Sequence, residues 1–338
     1  MLAATVRRYG GPDVVGIEDL PLPPVGPGEM RVRVNAAAVT AADARLRAND
    51  APRGFGLLLR CVTGLRRPRH PVGGMEFAGV VDRLGTGVLD FKPGQRVFGI
   101  TGLQGGAHAE FLTIRGDARV FATPDTLHDT QAAAFFFGGL TAAHFLCGGA
   151  GLQPGLQAAL QAALQAAWQP GQRLLINGAT GPVGCAAIQL ACHLGAQVTA
   201  VARVQNHAFA RELGAHYAID YRAGPIKGHW DVILDVVGTL PCAQAAPLLR
   251  TGGRLLKVTA TLAEQMSFAL RTQRGSYRVL GGVTADGRAA MQGLMRLHAA
   301  GAWRPTVGTV MPFSDIAAAH ALAGSRHQQG STVVVMPR

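Results

Sequence analysis

Residues 173–184 constrain the fold most. An apolar strand, Arg173–Asn177, runs directly into Gly178-Ala179-Thr180-Gly181-Pro182-Val183-Gly184, and a helical pattern opens near Val183. Glycines at 178, 181 and 184 lack the side chains that would hold a ligand off the backbone. The turn can be tight, and the first free N–H groups of the helix, with the positive end of its dipole, face an anion placed there. The spacing is a relative of the dinucleotide fingerprint, and its strand–turn–helix context points to a bound pyrophosphate.

Strands alternate with helices around this turn. Strand patterns occupy Val198–Ala202, Tyr217–Ile219, Asp231–Val236, Arg254–Val258 and Arg278–Leu280, and helical patterns fill intervals such as Val183–Leu194 and Asn206–Leu213. That alternation predicts an α/β domain with a doubly wound parallel sheet. The first 120 or so residues read differently. Short strand patterns at Met30–Val34, Phe77–Leu84, Arg96–Phe98 and Phe111–Ile114, broken by Gly and Pro, predict a β-rich region. After Thr284 come a helix at Ala289–Ala299, a short helix near Ile316–Ala323 and a last strand at Thr332–Val335. A chain of 338 residues can bury two cores. The expected division is a substrate domain of residues 1–124 and 284–338 around a dinucleotide domain of residues 125–283. Leu156–Trp168, a Gln/Ala/Leu helix former with Leu156, Leu160, Leu164 and Trp168 on one stripe, reads as an inserted helix packed on its own domain.

The second strand of the nucleotide unit decides the cofactor. A site for NAD places an acid at that strand end to bond the ribose hydroxyls. Here Ala202 stands there and Arg203 follows. A guanidinium attracts a 2′-phosphate that a carboxylate would repel, and His207 and Tyr221-Arg222 add donors. The expected cofactor is NADPH.

Charge and cysteines exclude other classes. The formal charge is +12, yet the basic residues are scattered apart from Arg66, Arg67 and Arg69, and no aromatic–basic interleaving accompanies them. No nucleic-acid partner is expected; the surplus describes a surface drawn to anions. No apolar run is long enough to predict a membrane span, and Met1–Gly10 lacks the apolar block of a secretory signal. The five cysteines are odd in number and contain no C-x-x-C pair, which fits thiols in a reducing cytoplasm better than a disulfide framework.

Several stretches together carry a family resemblance. They are Gly74–Val81, Gly85-Thr86-Gly87-Val88, Phe91–Gly99, Gly105–Phe111, Gly139–Ala143, the glycine turn, Leu213-Gly214-Ala215 and Asp235-Val236-Val237-Gly238. In this order the chain resembles the medium-chain dehydrogenase/reductases along nearly its whole length. The resemblance implies a Rossmann domain joined to a GroES-like β-rich catalytic domain. Where zinc members of that family carry their catalytic metal ligands, this chain has Thr40, Met75 and Phe137. A hydroxyl, a thioether and a phenyl ring are poor zinc ligands, so no metal is expected.

Without a Lewis acid, a hydride acceptor must delocalise the added charge itself, as quinones and α,β-unsaturated carbonyls do. The resemblance accordingly implies a zinc-free quinone or enone reductase taking a small-molecule substrate. It places Thr40 and Asp43 in the catalytic site, with Asp43 read equally as a brace for the following helix. Thr141 is placed near the nicotinamide, Val237, Gly238 and Thr259 near its ribose, and Gly281, Gly282 and Val283 in the carboxamide loop. Pocket walls come from loops such as Ala48–Arg60 and Leu262–Tyr277. A dimer through the sixth strand is implied as well. His108 reads as a structural histidine. A non-catalytic NADPH-binding sensor is the alternative, with a zinc alcohol dehydrogenase behind it.

Overall fold

The computed structural model describes residues 1–146, 168–274, 277–282, 284, 287–325 and 327–337. A hairpin of β1 (Leu2–Val6) and β2 (Val15–Asp19) comes first, then the long β3 (Glu29–Val39), α1 (Ala41–Ala48) and α2 (Gly56–Thr63). Next are β4 (Glu76–Leu84), β5 (Arg96–Ile100), β6 (Phe111–Arg115), β7 (Val120–Ala122), α3 (Asp129–Ala133) and α4 (Phe136–Leu146). β8 (Arg173–Asn177), α5 (Pro182–His193), β9 (Gln197–Ala202), α6 (His207–Glu212), β10 (Tyr217–Asp220) and β11 (Trp230–Asp235) follow. Then come α7 (Cys242–Ala245), β12 (Leu249–Lys257), α8 (Leu262–Arg274) and β13 (Arg278–Gly281). The chain closes with α9 (Arg288–Ala299), β14 (Val307–Pro312), α10 (Ile316–Gly324) and β15 (Ser331–Val335).

Two compact units emerge. The first comprises Met1–Ala51, Phe55–Phe136 and Pro305–Arg338. Its seven-stranded sheet has the order β14-β15-β3-β4-β5-β7, with β6 on β3. β3 is its spine: one end pairs antiparallel with β6, the other with β15, and β4 runs along its length. Met30, Val32, Phe77, Val81, Val97 and Leu112 fill its core with Phe313 and Ile316.

The second unit comprises Pro52–Gly54 and Phe137–Arg304. Its sheet, β10-β9-β8-β11-β12-β13, is parallel throughout. The strand interiors are continuous apolar runs because both faces are covered. From β8 the chain winds to β9 on one side and later to β11 on the other, so the crevice beyond β8 and β11 is the switch point where ligands of such sheets bind.

The units divide at Phe136/Phe137 and Arg304/Pro305, later in sequence than 124/125 and 283/284. Side chains explain both shifts. The Asp129 carboxylate on α3 accepts from Asn35 Nδ2 at 2.8 Å and Arg96 Nη2 at 2.7 Å, tying that helix to the antiparallel sheet. α9 belongs with α4: a Cβ on Gly139 would stand 2.7 Å from Leu294 and 2.8 Å from Trp303. All three tryptophans lie in the parallel unit and are buried. Trp168 donates to Leu146 O, Trp230 to Thr199 and Trp303 to Leu294 O. The rest of the Leu156–Trp168 segment lies outside the described residues. The β1–β2 hairpin, β14 and α2 are absent from the sequence reading: β2, β14 and α2 are short and only partly buried or not buried, and β1, though buried, is five residues long, so their patterns are weak.

Candidate functional site

The glycine turn has the geometry that its sequence implies. Gly178 has φ +86°, and a Cβ there would meet Val237 Cγ1 at 2.7 Å, so both backbone and space require glycine. Gly184, in the first turn of α5, lies so close to the loop that a Cβ would stand 2.3 Å from Gly178 O. At Gly181 a Cβ would meet nothing within 4 Å, which leaves open space at the helix start. Gly181 is the N-cap, Pro182 supplies the first helical residue without an N–H, and no side chain caps this end. The N–H donors of the first turn therefore open toward that space. Thr180 is buried, with its hydroxyl 3.4 Å from Asn206 Nδ2.

At the end of β9, Arg203 donates from Nε to Tyr221 Oη at 2.9 Å, and His207 Nε2 lies 3.3 Å from Ala202 O. The three side chains named from sequence are thus gathered at one strand end. Asp220 is the register partner of Ala202 on β10, an acid that the sequence reading passed over. Its carboxylate accepts from the Arg222 backbone N–H at 2.9 Å.

The loop after β11 is held by a buried ionic set that sequence reasoning missed. Asp235 accepts from Asn177 Nδ2 (2.9 Å), Gly238 N (2.9 Å) and Leu240 N (3.1 Å). Lys257, at the end of β12, places Nζ 3.3 Å from Asp235 and 3.1 Å from Glu264, and donates to Leu240 O at 3.0 Å. The Glu264 carboxyl is held below the usual range: burial pushes it up, but hydrogen bonds from Thr261 N and Lys257 outweigh that. The available signal was a charge closing an apolar strand on two neighbouring strands. This set fixes Val237 and Gly238 (φ +75°) beside the glycine turn, and Thr259 reaches Val236 O at 3.4 Å.

Other residues of the parallel unit named from sequence are placed as follows. Thr141 is buried on α4 and spends its hydroxyl proton on Phe137 O at 2.7 Å. Gly281 ends β13, where a Cβ would meet Phe268 at 2.4 Å, and Gly282 follows at φ +155°. Val283 lies outside the described residues.

In the antiparallel unit, Thr40 and Asp43 form a reciprocal cap at the start of α1. Asp43 Oδ2 accepts from Thr40 N at 2.8 Å and from Thr40 Oγ1 at 2.5 Å, while Thr40 Oγ1 accepts from Asp43 N at 3.2 Å. The brace foreseen for Asp43 is therefore present, and Thr40 directs its proton to that carboxylate. Asp43 also lines a cavity of about 70 Å³ with Arg47, Met75, His70 and His320. Arg47 donates from Nε to Gly10 O, but its buried Nη1 has no partner, nor have the buried Nδ1 atoms of His108 and His320. His108 is fully buried with Nε2 3.0 Å from Ala38 O, a structural setting. Among the described residues, no group of three or more His, Cys, Asp or Glu is placed to hold a metal ion.

Comparison with known proteins bears on both units. Residues 26–125 match the family model of the alcohol dehydrogenase GroES-like domain, and residues 213–334 match that of the zinc-binding dehydrogenases. A human mitochondrial NAD(P)H oxidoreductase is 28% identical over 378 residues, covering 99% of this chain and 89% of that protein. The pig quinone oxidoreductase is 27% identical over 357 residues, covering 99% and 98%. The solved structure of a quinone oxidoreductase from Coxiella burnetii superposes with a TM-score of 0.82 at 26% identity, covering 100% of this chain and 99% of the other.

Proposed function

The chain belongs to the medium-chain dehydrogenase/reductase family, in its quinone-oxidoreductase-like branch, and on that premise we propose that it reduces a quinone or an α,β-unsaturated carbonyl with NADPH. The residues present fit a dinucleotide. Gly178 and Gly184 let the turn close tightly against Val237 and the helix start, Gly181 leaves open space beside it, and the uncapped start of α5 offers N–H donors to a diphosphate. The observation that carries the choice of NADPH is the Ala202–Arg203–Tyr221 cluster, a cation with a phenol and no acid at its own strand end. Val237, Gly238 and Thr259 would border the nicotinamide ribose, Gly281 and Gly282 its carboxamide, with Thr141 nearby.

When bound, the cofactor supplies a hydride from C4 of its nicotinamide. The chain's own residues hold and orient. Arg203 would hold the 2′-phosphate by charge-assisted hydrogen bonds, and the Asp235–Lys257 set keeps the 236–240 loop in place. Thr40 can donate to an acceptor's carbonyl oxygen only by turning its hydroxyl away from Asp43. Asp43 would still hold α1 through Thr40 N. Water then supplies the product's remaining proton. β13 closes one edge of the parallel sheet, and we assign a homodimer to pairing at that edge, which light scattering would check.

Calorimetry with NADPH and NADH tests the reading, followed by turnover with quinones, enones, aldehydes and alcohols. Arg203→Gln should weaken NADPH binding about 10- to 100-fold and leave NADH unchanged. A protein that binds neither cofactor would refute it. Tight NADPH binding without turnover would favour a sensor, a second reading motivated by the commitment of Thr40's proton to Asp43.

A further inference from the structure

α2 is an unusual helix for a folded unit: apolar in composition, yet with no buried residue. Leu57 and Leu58 are 73% and 60% exposed, and Val62 and Leu65 are 47% and 63% exposed. Leu59 and Thr63 are only part-covered and no residue of this helix is buried in its own unit, so Leu57 and Leu58 are available to another apolar phase. The surrounding charge has one sign. From residue 51 to residue 75 the sequence holds Arg53, Arg60, Arg66, Arg67 and Arg69, and no Asp or Glu. These five arginines are exposed or nearly so, and none has an ion-pair partner among the described residues.

The turn after α2 is built, not loose. Tyr9 Oη donates to Gly64 O at 2.7 Å, and Arg69 N donates to Thr63 O at 2.8 Å. Gly64 has φ +130°, and a Cβ there would stand 2.0 Å from Arg67 O, so the chain folds back tightly on itself. That fold turns Leu65, Arg66 and Arg67 outward together. Leucines beside unpaired arginines on an ordered surface are the two features an interfacial membrane segment combines: apolar groups for the acyl boundary and cations for phosphate headgroups.

We propose that α2 and the 64–69 turn dock this protein on anionic phospholipid bilayers. The bilayer is favoured over other polyanions because the apolar side chains lie within the basic segment itself. A nucleic acid would use the arginines and leave the leucines in water. The docking stands on this surface alone. That it collects lipid-dissolved quinones or enones for reduction rests on the function proposed above.

The test is flotation of the full-length protein with vesicles of phosphatidylcholine, with and without phosphatidylglycerol, without cofactor or acceptor. Its failure is therefore separable from a failure of hydride transfer. Binding should appear with the anionic vesicles and weaken as salt is raised. Replacing Arg66, Arg67 and Arg69 together by Gln should lower partitioning on the order of 100-fold, about fivefold for each charge. Leu58→Glu should also abolish flotation while leaving the circular dichroism spectrum unchanged. The triple arginine variant should keep wild-type turnover of a water-soluble quinone but lose any acceleration by anionic vesicles with a long-chain quinone. Equal flotation of wild type and both variants, no flotation at low salt, or salt-sensitive capture of a DNA duplex with vesicles ignored would each overturn the proposal.

Discussion

In the parallel unit, Asp235 and Lys257 are 0% and 1% exposed, and their polar groups are fully used. The three donors of Lys257 face Asp235, Glu264 and Leu240 O, while Asp235 takes two backbone N–H groups and Asn177 besides. In the antiparallel unit, Arg47, His108 and His320 are also out of solvent, yet each leaves a nitrogen without a partner. Burial is similar; satisfaction is not. The saturated set needs no guest and serves as scaffold for the loop beside the glycine turn. Arg47 and His320 of the unsaturated set border a cavity, where a polar guest would complete them.

The contrast can be broken most sharply at Lys257. Lys257→Met strands a buried carboxylate and should cost about 3–5 kcal/mol in urea unfolding. A loss below about 1 kcal/mol would show that the set is not a unit. His320 comes next. Burial, with the nearby charges of His108 and Arg47, holds its pKa down at about 2, against 6.5 ordinarily. As pH falls below 6.5, the unfolded chain takes a proton that the folded chain refuses. Stability is therefore complete above that pH and declines toward pH 2 by at most about 1.4 kcal/mol per unit. Unfolding midpoints at neutral and mildly acid pH should converge in His320→Gln; an unchanged slope would remove His320 from the account.

A smaller effect is expected at the α1 cap. Thr40→Ala and Asp43→Ala should each cost about 1 kcal/mol, and less than additively when combined, because they share the same bonds. Calorimetric melting of the two single variants and the double variant measures this. The smallest change belongs to Arg47→Met. Losing a guanidinium held by a single long bond to Gly10 O, while keeping most of its apolar stem, should alter stability by less than about 1 kcal/mol. A large loss would show that the guanidinium is firmly held and erase the difference between the two sets.

What was legible in the sequence was local. The glycine turn follows from spacing within a dozen residues, and the strand Arg173–Asn177 has the bounds expected of it. The Thr40–Asp43 pair has capping-box spacing, so the brace could be read while the direction of its hydroxyl proton could not. Arg203 and Tyr221 are expected from sequence at one site, and the adjoining ends of β9 and β10 bring them into contact. What escaped was non-local. Asp129 looks like an ordinary helix-start acid until Asn35 and Arg96 meet it, and Lys257 looks like a strand-end charge until Asp235 and Glu264 close round it. Asn35, Arg96 and Asp129, like Asp235 and Lys257, lie tens of residues apart and are set side by side by the sheet order, while Glu264 comes from the helix that follows Lys257's strand.

Because Trp168, Trp230 and Trp303 all sit in the parallel unit and the antiparallel unit has none, intrinsic indole emission is a private signal of one half of the chain. Fluorescence followed beside far-ultraviolet dichroism would thus act as a built-in two-channel thermometer, able to tell whether both halves melt together or one after the other.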